Sequence, residues 1–557
     1  MDYTIQRVKD QIIEEIRKSI ERSVEEGAFA LETMPEIMLE IPREASFGDF
    51  ATNAAMQLPK QAKKPPKVIA EAIVKNFDNK AAGVEKCEIA GPGFINFTLQ
   101  PEWVYGIVED VINKKNKYGK SDYGKGKTVN VEYISANPTG PMHMGNARGG
   151  AIGDTISALF DWAGYRATKE FYINDAGNQI EKFAVSLEAR YLQENGQDVP
   201  FPEDGYQGED ITQRAKEFIE KEGDRYVEAE SHKRKEALVD YALAKNIQAI
   251  RDDLADYGVV YDVWFHESSL YENDQVREAV DRLKERGHTY EKEGALWFKA
   301  TEFGCEKDDV LIRQNGVPTY FTADIAYHYN KFVTRKFDHG INVWGADHHG
   351  HVARMKAALE ALGIDPKRLD VILMQLVRLM RDGETARMSK RKGNAVTLSD
   401  LVEEVGKDAA RFFFNLRSPE SHFDFDLDLA VEQSNDNPVF YVQYAHARIS
   451  SILRQVEEER QAEVDLTLLK APEELALIRK LGEFPFEIIA GVEKQDPSRM
   501  TKYAMDLASS FHTFYNACRV RTEDSGLMQA RIQLIEAVQT VIKNNLDILG
   551  VQAPEKM

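Results

Sequence analysis

Apolar residues recur at mostly fourfold spacing over residues 4–26, at Ile5, Val8, Ile12, Ile16, Ile20 and Val24, and the run stops at Gly27. Such spacing lines one face of a helix, and a glycine just past the last turn ends it. Glu36–Ile41 reads as a short strand, and Gly48-Asp49 leads into a helix over about 50–58. Pro65-Pro66 opens a further helix with Val68, Ile69, Ala72, Ile73 and Phe77 inward. Glu88–Ala90 and Phe94–Leu99 predict strands around the turn Gly91-Pro92-Gly93. Residues 1–110 thus read as a small α+β domain.

From Val129 the pattern alternates between short β-branched runs and helical spacing, the signature of a parallel sheet with helices on its faces. Val129–Ile134 predicts a strand, two prolines break the chain at 137–141, and a helix resumes near Gly145. Ala167–Ile173 is a second strand. The stretch from 180 to about 256 is helical and charged, with a polar loop at 194–210. Tyr261–His266 reads as a strand and His288–Lys299 as a hairpin turning at Glu293-Gly294. This block interrupts the alternation and is read as an insertion. Strands at Val310–Arg313, Ile341–Trp344 and Asp370–Gln375 then alternate with helices at Asp324–Phe332 and around Val352–Leu362. After the polar loop 381–394, Thr397-Leu398-Ser399-Asp400 predicts a capping box. From 436 the pattern is helical throughout. The expected class is α/β: a Rossmann-like parallel-sheet domain in two halves (111–175 and 301–385), an insertion (176–300), a loop with linking helices (386–435), the α+β N-terminal domain and an all-α C-terminal domain (436–557).

Composition adds limits. The 557 residues allow roughly three to five domains. They are 43% hydrophobic and 29% charged, as in soluble globular chains. No apolar run is long enough for a membrane span, and the charged start lacks a signal core, so no membrane association and a cytoplasmic location are expected. Cys87, Cys305 and Cys518 are far apart, which speaks against disulfides and a cysteine-rich zinc site. The net charge of −21 disfavours nucleic acid at first sight. Local patches decide binding, however: Val111–Lys127 holds six lysines and one aspartate, and Arg378–Lys392 six basic and two acidic residues.

Four clusters fall at or just after strand ends, at 132–146, 320–324, 345–348 and 387–392. In an open parallel sheet such ends converge on one ligand crevice. A helix starting near Gly145 offers amides at the positive end of its dipole, flanked by His143 and Asn146. Gly345 permits close approach. Asp347 can accept ribose hydroxyls or cap a helix, and Lys390 is a point charge suited to a triphosphate.

His143–Asn146 resembles the HIGH-type signature of class I aminoacyl-tRNA synthetases, with Asn146 in the last position. Met388-Ser389-Lys390 resembles its KMSKS partner. Within the class, VEYISANPTGPMHMGNARG, YIND, GVPTYFTADIAYH, VWGADHHGH, RMSKRKGN and the final APEKM resemble the bacterial arginyl-tRNA synthetases. FGDFATNAAMQL and GPGFINFTL look like that family's additional N-terminal domain, so the likeness spans nearly the whole chain. It implies a ligase that activates L-arginine with ATP and transfers it to the 3′ end of tRNA(Arg). Glu132, Asn137, Tyr320 and Asp324 would surround the arginine, with Asp324 or Glu132 at the guanidinium. His143, Asn146 and Lys390 would stabilise the reacting phosphates, with Gly145, Gly345, Asp347, His348 and Met388 around ATP. Phe94 and Asn96 would contact the tRNA elbow, and Tyr441, Tyr444 and Tyr515 the anticodon. Mg²⁺ would travel with ATP, no resident metal is expected, and the enzyme is expected to be a monomer. Another class I synthetase, or a tRNA-binding paralogue without catalysis, are the alternatives.

Overall fold

The computed structural model describes residues 2–40, 42, 44, 47–385, 396–461 and 463–557. The first helix, Thr4–Glu25, buries Ile5, Ile12, Ile16 and Ile20. It packs on helix Pro66–Lys75, which lies against a three-stranded antiparallel sheet with Phe94–Leu99 between Phe50–Thr52 and Val84–Ala90. Three expectations change here. Residues 36–39 are irregular, and Glu40 makes only an isolated bridge to Ala51. The helix expected over 50–58 is a strand followed by one helical turn, Ala54–Gln57. Pairing Phe50 with Phe97 and Thr52 with Ile95 gives these backbone groups partners that a helix start would leave open. Gly48 makes the approach feasible, since a Cβ there would lie 2.6 Å from the Phe97 carbonyl oxygen. In the helix Pro66–Lys75 the buried face is Ile69, Ala70 and Ile73, and Val68 is exposed on another.

The central sheet has five parallel strands in the order Leu369–Met374, His339–Gly345, Thr128–Glu132, Arg166–Ile173 and Val263–His266. The first strand in sequence is thus the middle one, and the chain moves to one side of it before returning to the other. Helix Gly145–Trp162 follows the middle strand and helix His349–Ala361 follows His339–Gly345. Val263–His266 pairs with Arg166–Ile173 and so belongs to this sheet, although it falls inside the stretch 176–300. What precedes it is three helices, Asn178–Glu194, Glu209–Glu222 and Ser231–Asp256, with their own core around Phe183, Tyr191 and Phe218.

Asp309–Ile312 does not resume the parallel alternation. It pairs antiparallel with Ala295–Phe298, which closes the hairpin with Thr289–Lys292. The start of the polar loop is also partly strand: Val377–Arg381 pairs parallel with Phe423–Asp426 and antiparallel with Glu384–Thr385. Thr397 and Asp400 form the expected capping box at the helix Leu398–Val405. The C-terminal region packs four long helices, Pro438–Gln455, Pro472–Lys494, Ser498–Ala517 and Ser525–Leu549. The final residues lie back on the first of them, where His446 bonds the Pro554 carbonyl at 2.8 Å.

One buried cation joins these bodies. Arg411 donates to the Leu549 and Gly258 carbonyls and pairs with Asp154 on helix Gly145–Trp162. Asp154 also receives Lys169 at 2.7 Å. Burial alone would raise the Asp154 pKa, but the two cations hold it below the ordinary value.

Candidate active site

The order of the central sheet places a reversal of chain direction between Thr128–Glu132 and His339–Gly345, whose C-terminal ends lie side by side. Loops leaving such adjacent ends diverge and open a crevice. His143, Gly145 and Asn146 follow one strand, and Asp347 and His348 the other.

The turn leaving Glu132 is strained. Ile134 and Ser135 have φ of 66° and 46°, a region that β-branched residues rarely enter. Ser135 holds the bend by donating its hydroxyl to Glu132 at 3.1 Å and accepting the Tyr172 amide at 3.1 Å. Further on, the Gly145 amide donates to His143 Nδ1 at 3.0 Å. The neutral ring therefore carries its proton on Nε2. A Cβ on Gly145 would lie 3.1 Å from that Nδ1, so glycine lets the ring fold onto the helix start. The first helical amide is thereby occupied by the imidazole, and His143 itself is exposed. Asn146 is half-buried, its amide on the His143 carbonyl at 2.9 Å.

A short strap joins this turn to the far side of the second signature. The Met144 amide donates to the Val396 carbonyl at 2.9 Å, and the Leu398 amide to the Met142 carbonyl at 3.0 Å. Met388 and Lys390 lie outside the described residues.

The two candidate carboxylates sit in different surroundings. Glu132 receives Lys331 Nζ at 2.7 Å, and both side chains are buried. Lys331 also donates to Asn342 Oδ1 at 3.0 Å, and the Asn342 amide meets His328 Nε2 at 2.9 Å. His328 Nδ1 bonds the Asp324 carbonyl at 2.8 Å, so every group in the chain has a partner. Burial, then the nearby Lys331 charge, pushes the His328 pKa down to about 3 and keeps the ring neutral. Lys331 is aimed inward by a π turn, Asn330–Thr334, at the end of helix Tyr320–Tyr329.

Asp324 lies on that same helix, one turn after Tyr320, which explains their shared face. Its Oδ2 meets His351 Nε2 at 2.9 Å. Arg354 Nε donates to His351 Nδ1 at 2.8 Å and Arg354 Nη1 to Asp309 at 3.0 Å. Because Nδ1 accepts, Nε2 holds the proton and donates to Asp324. Asp324 opens on a cavity of about 770 Å³, also lined by Tyr320, Asp309, Asp347, His348 and His351. Tyr320 is 43% exposed. Asp347 has 84% of its side chain exposed and lies 3.8 Å from His348 Nε2. Gly345 makes its position feasible, since a Cβ would lie 2.4 Å from Asp347 Oδ1.

The structure thus gathers Tyr320, Asp324, Asp347 and His348 around one cavity. Glu132, Asn137, His143 and Asn146 do not line it; Glu132 is sealed beneath the sheet end, and Asn137 is exposed on its turn. Among the described residues, no group of three or more His, Cys, Asp or Glu side chains is arranged to hold a metal ion. No helix among them is long and apolar enough to cross a membrane. Phe94 is exposed at the start of its strand, while Asn96 is half-buried and paired on both sides. Tyr515 is exposed beside Arg448, which also lies over the Tyr444 ring; Tyr441 is half-buried against His512.

Sequence reasoning passed over Lys331, His351 and Arg148. Lys331 had a signal: it is a lone cation in the apolar run Ile325–Val333. Arg148 is fully buried and donates to the Gln375 and Ser418 carbonyls at 2.8 and 3.0 Å. Burial without an acidic partner lowers its pKa to about 10. It ties the helix after the first signature to the residues that lead toward the second.

Known proteins resemble this chain along nearly all of its length. Three family models match in order: the arginyl-tRNA synthetase N-terminal domain at 10–99, the catalytic domain of class I (R) tRNA synthetases at 107–419, and the DALR anticodon-binding domain at 442–557. Proteins named arginine–tRNA ligase from Acetivibrio thermocellus and Caldanaerobacter subterraneus are each 56% identical to the chain, over all of both sequences. The arginyl-tRNA synthetase structure from Thermus thermophilus shares the fold, with a TM-score of 0.77 over 98% of this chain and 100% of that one, at 23% identity.

Proposed function

This chain belongs to the arginyl-tRNA synthetase family, and on that premise we propose how its residues divide the work of an ATP-dependent arginine–tRNA ligase. The family's activity replaces the two alternatives, another class I synthetase and a paralogue without catalysis.

The observation that carries the assignment is the contrast between the two carboxylates. Glu132 is already paired with the buried Lys331 ammonium, whereas Asp324 opens on the cavity with His351 as its side-chain partner. Asp324 therefore takes the guanidinium of arginine, a planar donor matched to a carboxylate, and Tyr320 covers it. Asn137, with the Glu132 end of the strand behind it, positions the α-amino and carboxylate groups. A lysine would leave acceptors of this site unpaired, which is the basis of its rejection.

The arginine carboxylate then attacks the α-phosphorus of ATP, and pyrophosphate leaves. A terminal ribose hydroxyl of tRNA(Arg) next attacks the activated carbonyl, releasing AMP. Positioning and charge stabilisation supply the rate. His143 through Nε2, and the Asn146 side-chain amide, are assigned to phosphate oxygens. Asn146 can donate a hydrogen bond but cannot become charged. Asp347 and His348, beside Gly345, are assigned to the nucleoside. Lys390 neutralises the departing pyrophosphate, with Met388 beside the adenine. Mg²⁺ accompanies ATP as the counter-ion of its phosphates. Phe94 and Asn96 are assigned to the tRNA elbow, and Tyr441, Tyr444 and Tyr515 to the anticodon, where aromatic faces stack on unpaired bases. The enzyme acts as a monomer in the cytoplasm.

Pyrophosphate exchange into ATP, run with each amino acid with and without tRNA(Arg), tests the reading. Exchange with arginine is expected, and exchange with another amino acid alone would overturn it. Lys390→Ala is expected to lower adenylate formation by roughly two orders of magnitude or more with little change in arginine binding, as befits a transition-state contact.

A further inference from the structure

The turn that carries Asn137 has almost no hydrogen bonds of its own. Among the described residues, no backbone amide or carbonyl from 136 to 141 pairs with another backbone group, and Pro138 and Pro141 have no amide hydrogen to give. The turn is also strained at its root, where Ile134 and Ser135 take left-handed backbone angles. Such a conformation persists only when the surroundings hold it.

One side chain reaches in. Asn246, on helix Ser231–Asp256, is 6% exposed and donates its amide to the Pro138 carbonyl at 2.9 Å. Its own carbonyl accepts Arg214 Nε at 2.8 Å from helix Glu209–Glu222, and Arg214 pairs with Glu217 at 2.8 Å. The guanidinium fixes which way round the Asn246 amide sits: oxygen toward Arg214, nitrogen toward the turn. Two helices outside the sheet thus act on the backbone beside Asn137.

We propose that Asn246 is a positioning residue for the substrate-binding turn, holding Pro138 and through it the Asn137 side chain against arginine. It acts through the backbone and does not touch substrate. The inference rests on the contact proposed above between Asn137 and arginine. A displacement of about 1 Å in such a group is enough to cost on the order of 100-fold in rate.

Asn246→Asp separates this role from a merely structural one. Aspartate has the same size and still accepts from Arg214, now as an ion pair, but it has no hydrogen to give Pro138. Tm and steady-state aminoacylation of tRNA(Arg) over a range of arginine and ATP concentrations are measured for the parent, Asn246→Asp, Asn246→Gln and Asn137→Ala. The expected result is a parental Tm for Asn246→Asp, a KM for arginine raised at least tenfold, and a nearly unchanged KM for ATP. Asn246→Gln, which restores a donor, is expected to recover part of the arginine KM. Parental kinetics in Asn246→Asp, or a loss of activity that follows a loss of Tm, overturns the inference. If Asn137→Ala raises the arginine KM while Asn246→Asp does not, only the positioning role fails. If Asn137→Ala leaves that KM unchanged, the contact on which the inference rests fails, and the inference with it.

Discussion

Beneath the sheet ends, Glu132 meets a buried ammonium, which an amide links to an imidazole that ends on the Asp324 carbonyl, a closed network with no unpaired end. At the rim, Asp324 meets an imidazole that a guanidinium holds from its other side, and this chain opens on a cavity. Both carboxylates follow from the same sequence logic, an acid at the edge of an α/β crevice. The difference lies in what the fold supplies before any substrate arrives. A buried carboxylate with its own cation has no charge left to offer, and removing either member leaves the other desolvated and alone. A carboxylate held only by a neutral donor keeps its charge for a ligand. Proximity to a strand end is therefore a weak guide to binding, and the internal counter-ion decides.

The largest expected effect lies in the closed network. Lys331→Met should lower unfolding stability by about 3–5 kcal/mol by stranding Glu132, read from urea midpoints. Adding Glu132→Gln should recover much of that loss, and a double variant as unstable as the single one would show that the pair is not the cause. Next comes the open site. Asp324→Asn should reduce kcat/KM for arginine by roughly 100-fold, about 3 kcal/mol, through loss of charge-assisted hydrogen bonds. The same change should leave Tm close to parental, and a comparable fall in stability would erase the distinction between the two networks.

The smallest effect is on pH. Below pH 6.5 the unfolded chain takes up a proton at His328 that the native state refuses until about pH 3. Stability contributed by this histidine is full above pH 6.5 and falls as the pH drops from there, with a limiting slope of about 1.4 kcal/mol per pH unit. His328→Gln should flatten that slope between pH 6.5 and 5. Equal slopes in parent and variant would place the acid sensitivity elsewhere.

Much of the architecture was readable because hydrophobic period reports burial directly. The parallel strands of the central sheet, the helices that follow them and the all-helical C-terminal region carry strong patterns. The misreadings were short elements defined by distant partners. Phe50–Thr52 is a strand only because Phe94–Leu99 lies beside it, and Val377–Arg381 because Phe423–Asp426 does. Asp309–Ile312 looked like one more buried strand, and nothing local said that its partner was a hairpin. At the site, spacing and position predict that Tyr320, Asp324 and Asp347 face one crevice, and all three line the same cavity. The pairing of Glu132 with Lys331 could not, since the two meet only when helix Tyr320–Tyr329 and its π turn pack under the middle strand.

The strap between Met142–Met144 and Val396–Leu398 bears on how the molecule is made. Residues so far apart along the chain meet late, because the cost of closing so long a loop is met only after the segments between them have folded. A chain emerging from the ribosome carries the first signature long before residue 398 has been synthesised. Until that residue arrives, the first signature lacks its partner. A chain that ends before residue 396 therefore carries the first signature without the backbone bonds that tie it down.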